Sequence, residues 1–314
     1  MKVLVTGIAG FVGSTLAQRL LALGYDVVGV DALTDYYDAH LKRENLQRIT
    51  HPRLQLVEAD LNALDLSALL RDVEVVYHQA GQPGVRRSWG ADFDRYTQDN
   101  VLATQRLLEA ALGAEGLQRF VYASSSSVYG NALRYPTEET DRPQPLSPYG
   151  VTKLAAEHLC CLYAENYGLP TVSLRYFTVY GPRQRPDMAF TRFCRAVRDE
   201  AEIQVFGTGD QVRDFTFVDD VVEANLLVVD NKVDKGAVFN VAGGTSTTVN
   251  DVLELLAAIS GRQPRVNRGS PVPGDVLRTG GSTAAIAEAT GWAPRVSLRE
   301  GLEEQYRWVA GVLT

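Results

Sequence analysis

The chain has 314 residues, 45% of them hydrophobic and 22% charged, and a formal net charge of -7. That balance belongs to a folded globular protein and excludes a disordered or low-complexity chain. An acidic total with no block of Lys or Arg argues against a nucleic-acid partner, and no stretch reaches the roughly 20 apolar residues of a membrane span, so a cytoplasmic protein is expected.

Lys2–Thr6 reads as a strand, and Gly13–Leu23 carries apolar residues at helical spacing. Asp26–Val30 is the next strand, followed by strands at Leu54–Glu58, Val73–Gln79 and Arg119–Ser124. Helical segments lie around Leu66–Arg71 and Asp99–Ala111, and a helix over Tyr149–Tyr167 precedes the strand Pro170–Arg175. This alternation predicts an α/β fold with a Rossmann-like doubly wound parallel sheet, covered by helices on both faces. After Tyr176 the texture changes, with Gly181, Pro182, Arg183, Arg185 and Pro186 in quick succession and later Gly207, Gly209 and Gly269–Gly274. Residues 177–314 therefore read mainly as a smaller, loop-rich C-terminal α/β lobe, set against a nucleotide-binding domain over 1–176. A helix near Val218–Val229 and a strand Val238–Val241 are expected to return to the main sheet. Cys160, Cys161 and Cys194 lack metal-ligand spacing and read as reduced, partly buried thiols, and no metal is expected.

Gly7, Gly10 and Gly13 fall at the first strand-to-helix junction. Exposed helix N–H groups and the positive end of the dipole can hold a pyrophosphate there. Gly7 suits the tight turn, Gly10 lets backbone approach phosphate, and Gly13 lets the helix lie close to the strand. Asp31 ends the second strand where an acid reaches the adenosine ribose, and its charge favours NAD over NADP. Asp60 and Leu61 end the third strand and face either the adenine or a capped loop.

Tyr149 and Lys153 stand at i and i+4 at the start of a helix, hence on one face. A free phenol has a pKa of about 10, too high for a base near neutrality. A nearby ammonium together with a cationic nicotinamide would lower it. Four serines, Ser124 to Ser127, follow an apolar strand and precede Val128-Tyr129-Gly130. They face the crevice where α/β proteins bind ligands, or merely solvate a loop.

The glycine turn, the Ser-rich strand end with Val-Tyr-Gly and Tyr149-x-x-x-Lys153 together resemble the extended short-chain dehydrogenase/reductase family. Arg175-Tyr-Phe-Thr178-Val-Tyr-Gly-Pro182 and Arg213-Asp-Phe-Thr-Phe-Val-Asp219 resemble its nucleotide-sugar branch, and the likeness spans the chain. It implies an NAD-dependent enzyme acting on a UDP-sugar, with Ser125 (or Ser126), Tyr149 and Lys153 as the catalytic trio. Cofactor contacts are implied at Gly7, Gly10, Phe11, Val12, Gly13, Asp31, Asp60, Leu61, Ala80 and Tyr176. Substrate contacts are implied at Arg86, Ser126, Ser127, Thr178, Arg185, Val205, Arg213 and Asp275, with Val205 and Phe206 either flanking the uracil or packed in the core, and a homodimer as in relatives. Ala32 and Gly81 depart from the family's usual Asn and Ala.

Within the branch, the 4,6-dehydratases carry Asp-Glu before Val-Tyr-Gly, and the UDP-glucuronate decarboxylases keep the Glu. Ser126 and Ser127 stand there instead, and neither can act as a general acid–base of suitable pKa. Epimerisation at C4 needs one base and one hydride acceptor, so it remains. Thr178, where many UDP-glucose 4-epimerases have Asn, and the run Asp35-Tyr-Tyr-Asp38 with Leu41-Lys42 are similar to UDP-glucuronate 4-epimerases. UDP-glucose 4-epimerase, the decarboxylase and a non-catalytic NAD sensor are the alternatives.

Overall fold

The computed structural model describes residues 1–270 and 276–311. β1 (Lys2–Thr6) leads into α1 (Phe11–Ala22), and β2 (Asp26–Asp31) into α2 (Ala39–Arg48). β3 (Leu54–Glu58), α3 (Leu66–Leu70) and β4 (Val75–His78) follow. α4 (Phe93–Tyr96) runs through a π-helical turn (Thr97–Leu102) into α5 (Ala103–Ala111), so the helix expected from Asp99 starts earlier and is locally underwound. β5 (Arg119–Ser125), α6 (Pro148–Tyr167) and β6 (Thr171–Tyr176) complete the alternation.

The remainder comprises β7 (Thr178–Tyr180), α7 (Ala189–Arg198), β8 (Glu202–Phe206), β9 (Val212–Arg213), β10 (Phe215–Phe217) and α8 (Val218–Asp230). Then come β11 (Ala237–Val241), β12 (Thr247–Thr248), α9 (Val249–Ser260), β13 (Arg265–Gly269), α10 (Ala284–Thr290) and α11 (Leu298–Val309). The lobe is thus richer in helix than its Gly and Pro content suggested.

Seven parallel strands form the main sheet in the order β3-β2-β1-β4-β5-β6-β11, and α8 packs on α1. Alternate residues of the apolar strands serve opposite faces: Val3 and Val5 join one core, Leu4 the other, and Val121 divides in the same way from Phe120 and Tyr122. This is why these runs are apolar throughout rather than alternating. The first core continues into the lobe through Phe190, Phe193, Val205 and Phe215. Strand order reverses between β1 and β4, and the crevice at that switch point is where such sheets bind ligands.

α6 is defined by its ends. Ser147 accepts the Gly150 amide at 3.1 Å, Pro148 takes the first turn, and Gly168 closes the helix at a φ of +70°. The first turn therefore carries Tyr149 beside the end of β5.

Behind the crevice, Thr6 Oγ1 lies 2.8 Å from His78 Nδ1, and His78 Nε2 lies 2.9 Å from Thr104 Oγ1. Thr104 gives its own proton to the Asn100 carbonyl, so Nε2 donates to Thr104 and Nδ1 accepts from Thr6. Burial, helped by the Lys153 charge, holds the ring neutral and lowers its pKa from 6.5 to about 3. Between those values the unfolded chain binds a proton that the folded ring refuses, so stability falls as pH falls through this window. A His78→Asn variant, less stable overall, should show a shallower loss than wild type when urea midpoints are compared across that window.

Candidate active site

A cavity of about 480 Å³ opens along the carboxyl ends of β1, β2, β4, β5 and β6. At one end it is lined by the glycine turn, Asp31, Asp60 and Leu61, and at the other by Ser125, Tyr149, Thr178 and Arg185. Every residue expected to contact the cofactor lines it, including Phe11, Val12, Ala80, Lys153 and Tyr176. Of the residues expected to meet the substrate, it gathers Ser126, Ser127, Thr178 and Arg185.

The cofactor end is shaped by what glycine omits. A Cβ on Gly13 would lie 2.1 Å from the Gly7 carbonyl oxygen, and one on Gly7 would lie 2.8 Å from the Ala80 amide nitrogen. Gly7 also holds a φ of +69°, which side chains disfavour. Gly10 caps α1 with no side-chain hydrogen bond, which leaves the helix terminus for an external anion. The Asp31 carboxylate accepts the Ala9 and Leu33 amides at 3.0 and 2.8 Å. Asp60 lines the cavity and caps the turn after β3 by accepting the Asn62 amide at 2.8 Å. An anion-ready helix start, a carboxylate at the end of β2 and a cleft between them fit a dinucleotide. In that reading Asp31 would hold the adenosine ribose and the first turn of α1 the pyrophosphate.

At the far end the Tyr149 hydroxyl is hydrogen-bonded with Ser125, which favours Ser125 over Ser126 as its partner. Burial pushes the phenol up, while the Ser125 hydrogen bond and then the Arg185 charge pull it back. Lys153 is anchored on the end of β5. Its ammonium donates to the Ala123 carbonyl at 2.8 Å and lies 5.0 Å from the Tyr122 ring centroid, and burial lowers its pKa to about 8.

Arg185 is paired with Asp187 through Nε and Nη2, each at 3.0 Å. Thr178 opens β7, whose parallel pairing with β10 fixes its register opposite Phe215. Ser125 caps the turn that follows β5 by accepting the Ser127 amide at 3.1 Å.

Arg86, Val205 and Arg213 are not brought into this cavity. Val205 is buried in the core, a correction that follows from strand alternation: in β8 its side chain points inward while Phe206 points out. Arg86 stacks over Phe206 with its guanidinium 4.3 Å from the ring centroid. Arg213 donates to the Val212 carbonyl at 2.9 Å. Arg278 lies over the Tyr135 ring at 4.9 Å. Asp275 lies outside the described residues.

Two features escaped the sequence. Asn100, in the π-helical turn, accepts the Gln82 amide at 2.7 Å and donates to the Gln82 carbonyl and Thr152 Oγ1. It thereby fixes the loop after β4, and a Cβ on Gly81 would sit 2.7 Å from its Oδ1, so glycine makes room for this contact. Behind Ser125, Arg175 and Glu157 form a buried bidentate pair at 2.6 and 3.0 Å, and Ser124 Oγ donates to the same carboxylate at 2.6 Å. A lone Asn and an ordinary helical Glu carry no signal of their own, because their partners lie tens of residues away.

A crevice lined from a glycine turn to a half-buried tyrosine, a serine hydroxyl and a lysine defines an NAD-dependent sugar-modifying fold, and the chain belongs to the NAD dependent epimerase/dehydratase family, which it matches over residues 3–242. A UDP-glucuronic acid 4-epimerase from Bacillus cereus, solved with UDP-glucuronic acid and NAD, is 43% identical. The match covers 99% of this chain and all of that one, with a TM-score of 0.96. An uncharacterized UDP-glucose epimerase of Bacillus subtilis is 39% identical over 99% of both chains. A UDP-glucose 4-epimerase of Thermotoga maritima, solved with UDP-glucose, is 34% identical over the whole of both, with a TM-score of 0.90. None of the described helices is long and apolar enough to cross a membrane.

Proposed function

We propose that the protein interconverts UDP-glucuronate and UDP-galacturonate by inverting C4 through a transient 4-keto sugar. The observation that carries this reading is that Ser126, Ser127, Thr178 and Arg185 line one cavity with Ser125 and Tyr149. NAD, when held by the glycine turn and Asp31, would supply the hydride acceptor and hydride donor that inversion requires. Tyr149 takes the O4 proton as its phenolate and gives it back, while Ser125 shares the hydrogen bond that stabilises that phenolate. With serines at 126 and 127, no carboxyl is placed to drive elimination across C5 and C6. A C6 carboxylate asks for several donors, and three hydroxyls with one guanidinium supply them. Arg86, Arg213 and Asp275 belong to the same proposal as partners of the nucleotide, by family resemblance. So does a homodimer formed through α5 and α6, whose neighbourhood exposes Leu102, Val151 and Leu162. Cytoplasmic residence is supported by the free thiols of Cys160, Cys161 and Cys194.

Oxidation at C4 of a uronate makes a β-keto acid, which tends to lose CO₂. Hydroxyl donors that fix the carboxylate would hold it away from the geometry of C5–CO₂ cleavage. Thr178→Ala and Ser127→Ala should therefore release more UDP-4-keto-pentose, detected by mass spectrometry of the products, and clean epimerisation by both would refute this role. The decisive experiment incubates the protein with UDP-glucuronate, without added NAD, and follows the C4 configuration by NMR. Appearance of the galacto configuration supports the proposal. No conversion, alongside rapid conversion of UDP-glucose, would replace it with the UDP-glucose reading that two of the relatives favour.

A further inference from the structure

Tyr36 lines the cavity beside Arg185, and the reaction outlined above makes no use of it. It lines the cavity from the loop between β2 and α2. That loop is held on the cofactor side. Asp31 Oδ1 accepts the Leu33 amide at 2.8 Å, Leu33 takes a left-handed φ of 46°, and Lys42 Nζ donates to the Thr34 carbonyl at 2.9 Å. At the sugar side the Tyr36 ring meets two guanidiniums, with Arg87 Cζ 5.0 Å and Arg185 Cζ 5.7 Å from its centroid. Arg87 Nη1 also donates to the Tyr36 carbonyl at 3.2 Å. The Tyr36 hydroxyl presses on Gly84, where a Cβ would lie only 2.2 Å from the oxygen. Backbone, ring and hydroxyl are thus each located by a different neighbour.

We infer that Tyr36 is a positioning residue for a charged sugar, its ring holding the Arg185 guanidinium where a C6 carboxylate docks and so favouring a uronate over a neutral hexose. The inference rests on the assignment of Arg185 to the sugar end made above. Asp187 already engages Nε and Nη2 of Arg185. A second carboxylate would fix the side chain further but would also cancel the charge that draws a uronate. An aromatic face fixes the guanidinium without neutralising it and without consuming its N–H donors. Among the described residues no hydrogen bond engages Nη1, whose side is left to reach a ligand. Because the same loop begins at Asp31, the position of Arg185 is also tied to the wall that faces the adenosine.

The test is calorimetric titration of the NAD-loaded protein with UDP-glucuronate and, separately, with UDP-glucose. Wild type is compared with Tyr36→Phe, Tyr36→Leu and Arg185→Gln. The leucine variant should bind UDP-glucuronate about tenfold more weakly and UDP-glucose unchanged, as expected for loss of one partly desolvated cation–ring contact. Phenylalanine, which keeps the ring, should behave as wild type. Equal weakening toward both sugars, or a phenylalanine variant as weak as the leucine one, would make Tyr36 a mere prop of the loop and overturn the inference. If Arg185→Gln abolishes the uronate preference while Tyr36→Leu retains it, the inference falls and the role of Arg185 stands. If Arg185→Gln changes nothing, that role fails first and the inference goes with it.

Discussion

Tyr149→Phe should lower kcat by about 10²- to 10⁴-fold, the usual range for removing a positioned general acid–base, with UDP-sugar binding and thermal stability close to wild type. The contrast follows from what the substitution leaves behind. The ring keeps its edge-on contact with Tyr96 at 6.2 Å between centroids, and only the hydroxyl shared with Ser125 is lost. Steady-state rates and binding titrations on one preparation check both halves. A phenylalanine enzyme with undiminished turnover would remove Tyr149 from the chemistry. The acid limb of the wild-type pH profile carries a second signature. The Ser125 hydrogen bond lowers the phenol's pKa against the upward pull of burial. Ser125→Ala should therefore move that limb to higher pH.

Glu157→Ala should be the most destabilising single change in the neighbourhood, costing about 3–5 kcal/mol in urea unfolding. The carboxylate is 2% exposed and its partner Arg175 is 5% exposed. Removing it strands a buried guanidinium with only the Tyr129 hydroxyl and the Glu139 carbonyl as remaining hydrogen-bond partners among the described residues. The penalty is that of an uncompensated buried charge, so it should largely vanish when Arg175 is replaced as well. A Glu157→Leu, Arg175→Met double variant recovering most of the loss would establish this, and an additive double loss would refute it. Activity should fall with Glu157→Ala beyond what stability explains. Ser124, which donates to this carboxylate, immediately precedes Ser125 in β5, so the strand end that presents the Ser125 hydroxyl to Tyr149 loses its tether.

The main sheet was legible because its signals are local. Val3-Leu-Val and Phe120-Val-Tyr are apolar at every position, which only a strand covered on both faces requires, and their partition between two cores bears this out. The glycine turn was legible for the same reason: Gly7 holds a positive φ, and Gly10 and Gly13 lie against its carbonyl only a few residues away. The return of β11 to the sheet was visible as a strand, though only its pairing with β6 fixed its place. The lobe was harder. Val205 and Phe206 are equally apolar in the sequence, and the facing of β8 alone sends one into the core and turns the other toward Arg86.

By itself the sequence determined the α/β class, the dinucleotide turn, the Tyr149–Lys153 pair and the lack of carboxyls at 126 and 127, since each of these depends on residue type at short spacing. Tertiary structure alone brought the Arg185 charge to the phenol beside the Ser125 hydroxyl and anchored Lys153 on the Ala123 carbonyl. It alone revealed the Glu157–Arg175 pair, the Asn100 bracket and the seat of Tyr36 between the cofactor loop and Arg185. The physical reason is common to all of them. Hydrogen bonds and charges act over a few ångströms of space, and in this fold those few ångströms join residues that the chain keeps far apart.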